Sequence, residues 1–434
     1  MAVTRHFDEV EHSRRRFLSG AGVVAGALVA GHALSVWGRP LAAGAATATA
    51  TAGKAAKGRT VVFVELAGGN DAIDTLVPYT DPQYRRLRPT LAVDAPIDLD
   101  GAVGLHPGLV ALAERYRAGQ VAVIEGVGYP DNDLSHFASL ANWWSAEPGS
   151  PGATGWLGRY LDRAVGYDDP LAGVVVGPGP SPALVGERSF ATSISDTSGL
   201  APRAPAWLAD TDDLLDTWAR MGSARSSRRT LEGKVRQAIA LTDDARADLD
   251  RALRADATGD DAALDPRADA ADVSDGSATD AFAVAARLVT APSPPRVVYL
   301  TRLGDYDTHQ GSAARRDALM TDLDTGLGRF LTTVEAAGRA DDVIVVTLSE
   351  FGRRAQENGS GTDHGNAGTH FVIGARVTGG RYGAPTTLST LDSRGNLPFA
   401  VDFRQLYATA LGWLDADPEP ILGKGFTPQP VFTT

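Results

Sequence analysis

Cysteine is absent from the 434 residues of this chain. Thiolate metal sites and cysteine nucleophiles are thereby excluded, and an oxidising destination imposes no disulfide framework. Positive charge is scarce as well, since 41 Lys and Arg face 53 Asp and Glu and leave a formal charge of -12. Counterion release from nucleic acid needs clustered basic side chains, so nucleic acid is not the expected partner. Apolar runs suited to a bilayer are also lacking: the longest, from Gly20 to Trp37, is only about 18 residues and is diluted by glycine. Histidine is sparse. Beyond residue 45 there are only His106, His136, His309, His364 and His370.

What is present begins with a leader. Arg14, Arg15 and Arg16 follow Ser13, and Phe17-Leu18 complete an S-R-R-x-F-L pattern. The glycine- and alanine-rich apolar stretch comes next, then Arg39 and the small residues Ala43-Gly44-Ala45. This is the three-part layout of a signal peptide, and the paired arginines specify the twin-arginine route. The alternative is an anchor that is never removed. The expectation is therefore a signal peptide over residues 1–45, a disordered linker over 46–58 and one α/β domain over 59–434. The twin-arginine translocase is the partner during export. The mature protein is expected in the periplasm, outside the cell or in its envelope, with no stable membrane span. Removing the leader makes the net charge more negative.

Short β-branched runs bounded by turn residues lie at Thr60–Leu66, Val121–Val127, Gly173–Val176, Arg296–Leu300, Val343–Leu348 and Phe371–Gly374. Runs of this kind suit strands buried on both faces. Between them, Leu319, Leu323, Leu327, Phe330, Leu331 and Val334 recur at helical spacing, as do Phe403, Leu406, Tyr407, Ala410, Leu411 and Leu414. Strands alternating with helices imply a mostly parallel sheet covered on both sides. Ligands of such sheets gather beyond the carboxyl ends of the strands. Within residues 203–282, Asp212–Ala255 is Arg-, Asp- and Leu-rich with a helical pattern and Asp256–Asp280 is an Ala/Asp run with few apolar anchors, so the region reads as a helical, acidic insertion. No internal repeat is evident.

Four polar clusters follow predicted strands. Gly68-Gly69-Asn70-Asp71 ends the first, and its glycines allow a sharp turn that presents Asp71; an ordinary Asn-Asp turn is the plainer alternative. Ser135, with His136, precedes an apolar helical pattern, so Ser135 is either an N-cap or a nucleophile beside N–H groups that favour an anion. Asp305, Asp307 and His309 offer oxygen and nitrogen donors suited to Zn²⁺ or Mn²⁺, and either acid is at a usable spacing from the histidine. Glu350 ends the most strand-like run, with Asp363-His364 in a glycine-flanked turn a dozen residues on. These could close on one cation, or Arg353 and Arg354 could neutralise the acids in a salt-bridge network. Three of the five histidines therefore lie beside an acid or a serine in a post-strand loop, whereas His106 and His370 read as structural.

With these motifs in view, the chain resembles the exported family called domain of unknown function 1501. The resemblance rests on the leader, GGND-A-I-D-T-L-V-P-Y, Y-R-R-L-R-P-T-L, G-L-H-P, S-H-F, T-G-W-L-G-R-Y-L-D, D-T-H, S-E-F-G-R-R, G-T-D-H-G and D-F-R-Q-L-Y. It runs from Val61 to Phe426. The family is similar in fold to the alkaline phosphatase and sulfatase superfamily, which implies a three-layer α/β/α sandwich with a helical insertion. It also implies a divalent metal (Zn, Mn, Mg or Ca) held by Asp71, Asp307, His309, Glu350, Asp363 and His364, with Ser135 as nucleophile and His136 as its aide. The chain departs from the superfamily in carrying Glu350-Phe351 where Asp-His or Asp-Asn is usual. The implied function is metal-dependent hydrolysis of phosphate or sulfate esters, acting on a small anionic ester or an envelope polymer. The alternative is a non-catalytic envelope or binding protein that retains the fold. A Ser-His-Asp esterase is disfavoured, because Gly-Gly-Asn-Asp stands where such enzymes carry Gly-Asp-Ser.

Overall fold

The computed structural model describes residues 58–166, 169–189, 191–195 and 276–432, with isolated positions between 217 and 249. The signal peptide expected over 1–45 lies outside the described residues, as do nearly all of the linker and most of the 203–282 insertion. No helix among the described residues is long and apolar enough to cross a membrane.

A nine-stranded sheet forms the centre. Its strands in chain order are β1 (Thr60–Leu66), β2 (Val121–Gly128), β3 (Gly173–Val176), β4 (Thr192–Ile194), β5 (Val297–Leu303), β6 (Val343–Leu348), β7 (Gly368–Ile373), β8 (Gly380–Gly383) and β9 (Val401–Asp402). Across the sheet the order is β8-β2-β7-β6-β1-β5-β3-β4, with β9 also paired to β2. All pairings are parallel except those of β7, which runs against both β2 and β6. Every residue of β1 is buried, as its uninterrupted TVVFVEL run requires of a strand covered on both faces.

The main helices are α1 (Val110–Arg117), α2 (His136–Ser145), α3 (Trp156–Ala164), α4 (Ala278–Thr290), α5 (Ser312–Ala336) and α6 (Phe403–Trp413). Alternate β1 residues send Val62 and Val64 to one core with α1, α4 and α5, where Leu323, Leu327, Phe330 and Val334 supply the predicted stripe. Val61 and Phe63 enter a second core with Trp143 of α2, Trp156 of α3 and Leu406, Tyr407 and Leu411 of α6. The result is a mixed α/β fold in three layers. Asp402 and Gln405 close a capping box that starts α6.

The six anticipated strands are all present: Thr60–Leu66, Gly173–Val176 and Val343–Leu348 have the expected bounds, and the other three have shifted ends. The last begins three residues earlier than expected, at Gly368, and is the reversed strand, a property that an apolar run does not encode. Strands β4, β8 and β9 have two to four residues each and carry too little apolar pattern to be read.

Candidate metal centre at the ends of the central strands

β1 lies between β5 and β6, so the loops leaving these three strands meet on one edge of the sheet. The meeting is close enough to demand glycine. At Gly68 (φ +110°) a Cβ would come within 2.4 Å of the backbone nitrogen of Asp307, and at Gly69 (φ +82°) within 2.5 Å of the Phe351 ring. A two-stranded hairpin, Arg353–Glu357 with Thr362–His364, then returns the chain to the same edge.

Three imidazoles converge there on Asp307. His309 Nε2 and His364 Nε2 lie 3.1 and 3.2 Å from Asp307 Oδ1, and 2.9 Å from each other. His136 Nε2 lies 3.4 Å from Asp307 Oδ2. His136, Asp307 and His364 offer ligand atoms all within 4.8 Å of one another. The ring of buried Phe351 packs against His136 and His364, with centroids 4.8 and 4.7 Å away.

The outer nitrogens of two rings are committed. His364 Nδ1 meets the carbonyl of Leu134 at 2.8 Å, and His136 Nδ1 meets Glu350 Oε1 at 2.7 Å. A carbonyl or carboxylate oxygen accepts, so both Nδ1 atoms donate, and in the neutral rings the Nε2 atoms present lone pairs to the centre. His136 Nε2 is buried and has no hydrogen-bond partner. Glu350 itself is buried and also accepts from the Gly68 N–H at 2.9 Å.

Electrostatics follow from these contacts. Burial pushes the Asp307 carboxyl up, but the hydrogen bond and charge of Arg353, with His364 and His136 beside it, outweigh this and hold it at about 2. The hydrogen bond to Glu350 raises His136 above the ordinary imidazole range, while burial lowers His364. The hydrogen bond from Asn358 lowers Asp363.

The remaining anticipated residues fall around this centre or away from it. Asp363 Oδ1 stands behind His309, 3.6 Å from its Nδ1. Of the two neighbouring acids, Asp307 faces the histidines and Asp305 pairs with Arg315 on the surface. Asp71 is engaged elsewhere: it caps the turn Ala72–Thr75 and pairs at 2.8 Å with fully buried Arg88, which also reaches Asp74. Burial raises the Asp71 carboxyl despite Arg88. Ser135 holds the N-cap position of α2, yet its hydroxyl makes no capping hydrogen bond.

Arg353 was visible in the sequence only as a neighbour able to neutralise acids. It is fully buried and does more: it binds the carbonyls of Gly69 (2.8 Å), Tyr306 (2.9 Å), Thr362 (3.0 Å) and Gly68, and Asp307 Oδ1 at 2.7 Å. The Leu134 carbonyl had no sequence signal at all, since any residue supplies one.

A sequence model of the family described as "Protein of unknown function (DUF1501)" matches residues 58–425. No curated protein matches the chain. Among solved structures, it is similar to Ps i-CgsB in complex with k-i-k-neocarrahexaose, at 11% identity over 86% of this chain and 75% of that one, with a TM-score of 0.42. A protein in the alkaline phosphatase superfamily from Vibrio parahaemolyticus is 10% identical over 85% of this chain and 69% of that one, with a TM-score of 0.37. The phosphonate monoester hydrolase SpPMH from Silicibacter pomeroyi is 11% identical over 85% and 77%, with a TM-score of 0.37. Each is a likeness of fold and assigns this chain no activity.

Proposed function

The chain belongs to the family described as protein of unknown function (DUF1501), and on that premise we propose that it is an exported, metal-dependent hydrolase of phosphate or sulfate esters. The observation that carries this is the convergence of imidazole Nε2 atoms on the Asp307 carboxylate, with tautomers set from behind by Glu350 and the Leu134 carbonyl. Ligands about 2.0–2.1 Å from a tetrahedral ion stand roughly 3.3 Å apart. The 2.9, 3.1 and 3.2 Å separations among Asp307, His309 and His364 approach that spacing. These three side chains would hold the ion. Two imidazoles with one carboxylate suit Zn²⁺ or Mn²⁺ better than Mg²⁺ or Ca²⁺, which prefer oxygen.

A bound divalent cation would supply Lewis-acid stabilisation of the ester's anionic oxygens. The chain's own residues then divide the work. Ser135 Oγ, free of a capping bond, attacks phosphorus or sulfur; the Oγ–P (or Oγ–S) bond forms as the ester bond breaks. His136, oriented through Nδ1 by Glu350, takes the Ser135 proton at its unpartnered Nε2 and delivers it to the departing alcohol oxygen. Water, deprotonated by the same Nε2, releases the acid from Ser135. The first N–H groups of α2 favour the anionic group.

The test combines metal analysis of the purified protein, turnover of p-nitrophenyl phosphate and p-nitrophenyl sulfate, and the Ser135→Ala variant. Bound Zn²⁺ or Mn²⁺ with turnover abolished in Ser135→Ala is expected. A protein that takes up no metal and cleaves neither ester sinks the proposal. Export is tested separately: replacing Arg14 and Arg15 by Lys should leave the precursor inside the cell.

One observation favours a second reading, a non-catalytic envelope-binding protein with the same centre. Asp307 Oδ1 is already engaged by buried Arg353, and Glu350 is held by Gly68 and His136. A metal-loaded protein inert toward both esters would return this reading.

A further inference from the structure

Between β2 and α2 the chain makes a loop, Tyr129–Ser135, in which two non-glycine residues adopt left-handed backbone, Asp131 (φ +56°) and Leu134 (φ +61°). An aspartate tolerates this region, but a leucine is strained there and keeps it only where its surroundings over-determine it. Asn132 supplies the constraint. It is 3% exposed, and its Oδ1 accepts from the Leu134 N–H at 2.9 Å. The same oxygen faces the hydroxyls of Tyr129 at 3.1 Å and Ser139 at 3.0 Å, so it is anchored to both the strand end and α2. Its amide nitrogen points to Asn366 Oδ1 at 3.4 Å.

The strained peptide has one evident consequence. It turns the Leu134 carbonyl onto His364 Nδ1, at 2.8 Å. The Nδ1 proton is thereby fixed, and the Nε2 lone pair is aimed at Asp307 and His309. We propose that Asn132 is a positioning residue for the cation site, setting the tautomer and ring orientation of His364 through the backbone of Leu134. This rests on the metal reading above, and Asn132 touches neither the histidines nor substrate. Partners of this kind behind a metal-ligating histidine commonly change metal affinity by about 10- to 100-fold.

The experiment measures Zn²⁺ affinity by chelator competition, and the His364 tautomer by long-range ¹H–¹⁵N spectra of the metal-free full chain. Wild type should show His364 protonated at Nδ1. Asn132→Ala should bind Zn²⁺ about 10- to 100-fold more weakly and show a mixed tautomer. Asn132→Asp keeps an acceptor oxygen for the Leu134 N–H and should restore the single His364 tautomer lost in Asn132→Ala, a readout at the imidazole that a loss of packing alone would not give. Wild-type affinity in Asn132→Ala, or His364 protonated at Nε2 in wild type, overturns the proposal. Where Asn132→Ala does not fold, Asn132→Ser is measured instead, with the same two outcomes. A wild-type chain that binds no Zn²⁺ refutes the metal reading instead, while the tautomer spectrum still decides the positioning.

Discussion

Arg353 shows how much one side chain can fix. Its guanidinium joins carbonyls from the loop after β1, the loop after β5 and the hairpin after β6, and neutralises Asp307 as well. Replacing it by Met would strand a partly buried carboxylate and several carbonyls without donors. We expect a loss of about 3–5 kcal/mol, read as a lowered urea midpoint. His364→Ala is different in kind. Its side chain is partly exposed and serves the centre, so the fold should persist while bound metal falls; elemental analysis of the purified variant checks this. Arginine beside acids was legible in the sequence. That it would be buried, with its charge spent inside the protein, depends on three loops meeting in space.

At the scale of elements, strands were legible because full burial writes itself as continuous β-branched runs, Thr60–Leu66 and Val343–Leu348 above all. The Arg353–His364 hairpin was not, because its polar residues carry no alternation. Asp71 shows the converse limit. It sits after a strand as a ligand should, and only the tertiary approach of Arg88 decides its partner. The glycine pair after β1 was legible as a turn, whereas its need for space was not. Gly68→Ala would put a methyl carbon against the Asp307 backbone in a left-handed conformation. A loss of at least about 2 kcal/mol in denaturant unfolding is expected, with weakened metal binding as Asp307 is displaced.

For the whole molecule, pH dependence should be set partly by a residue outside the site. His370 on β7 is fully buried against Trp143, and neither ring nitrogen has a partner. Burial pushes it down to about 3. The folded state therefore keeps it neutral, while the unfolded chain takes up a proton below its ordinary 6.5. Stability is complete above that value and is lost as pH falls toward 3. Between pH 7.5 and 5 the contribution is about 2 kcal/mol. As pH falls from 7.5 to 5 the wild type should lose about 2 kcal/mol relative to His370→Phe, read as a shift of the difference between their urea midpoints in the variant's favour; parallel curves would count against it.

The position of β1 has a consequence for how the chain acquires its shape. It is the first strand among the described residues, yet both neighbours come from the last third of the sequence: Val61 lies beside Val297, and Thr60 beside Val343. Through most of synthesis this apolar segment has two bare edges and nothing to pair with. Such non-local closure is slow and leaves intermediates open to aggregation. The rate-limiting event of folding should be the seating of β1 between β5 and β6, and the histidine cluster around Asp307 can take form only once that has happened.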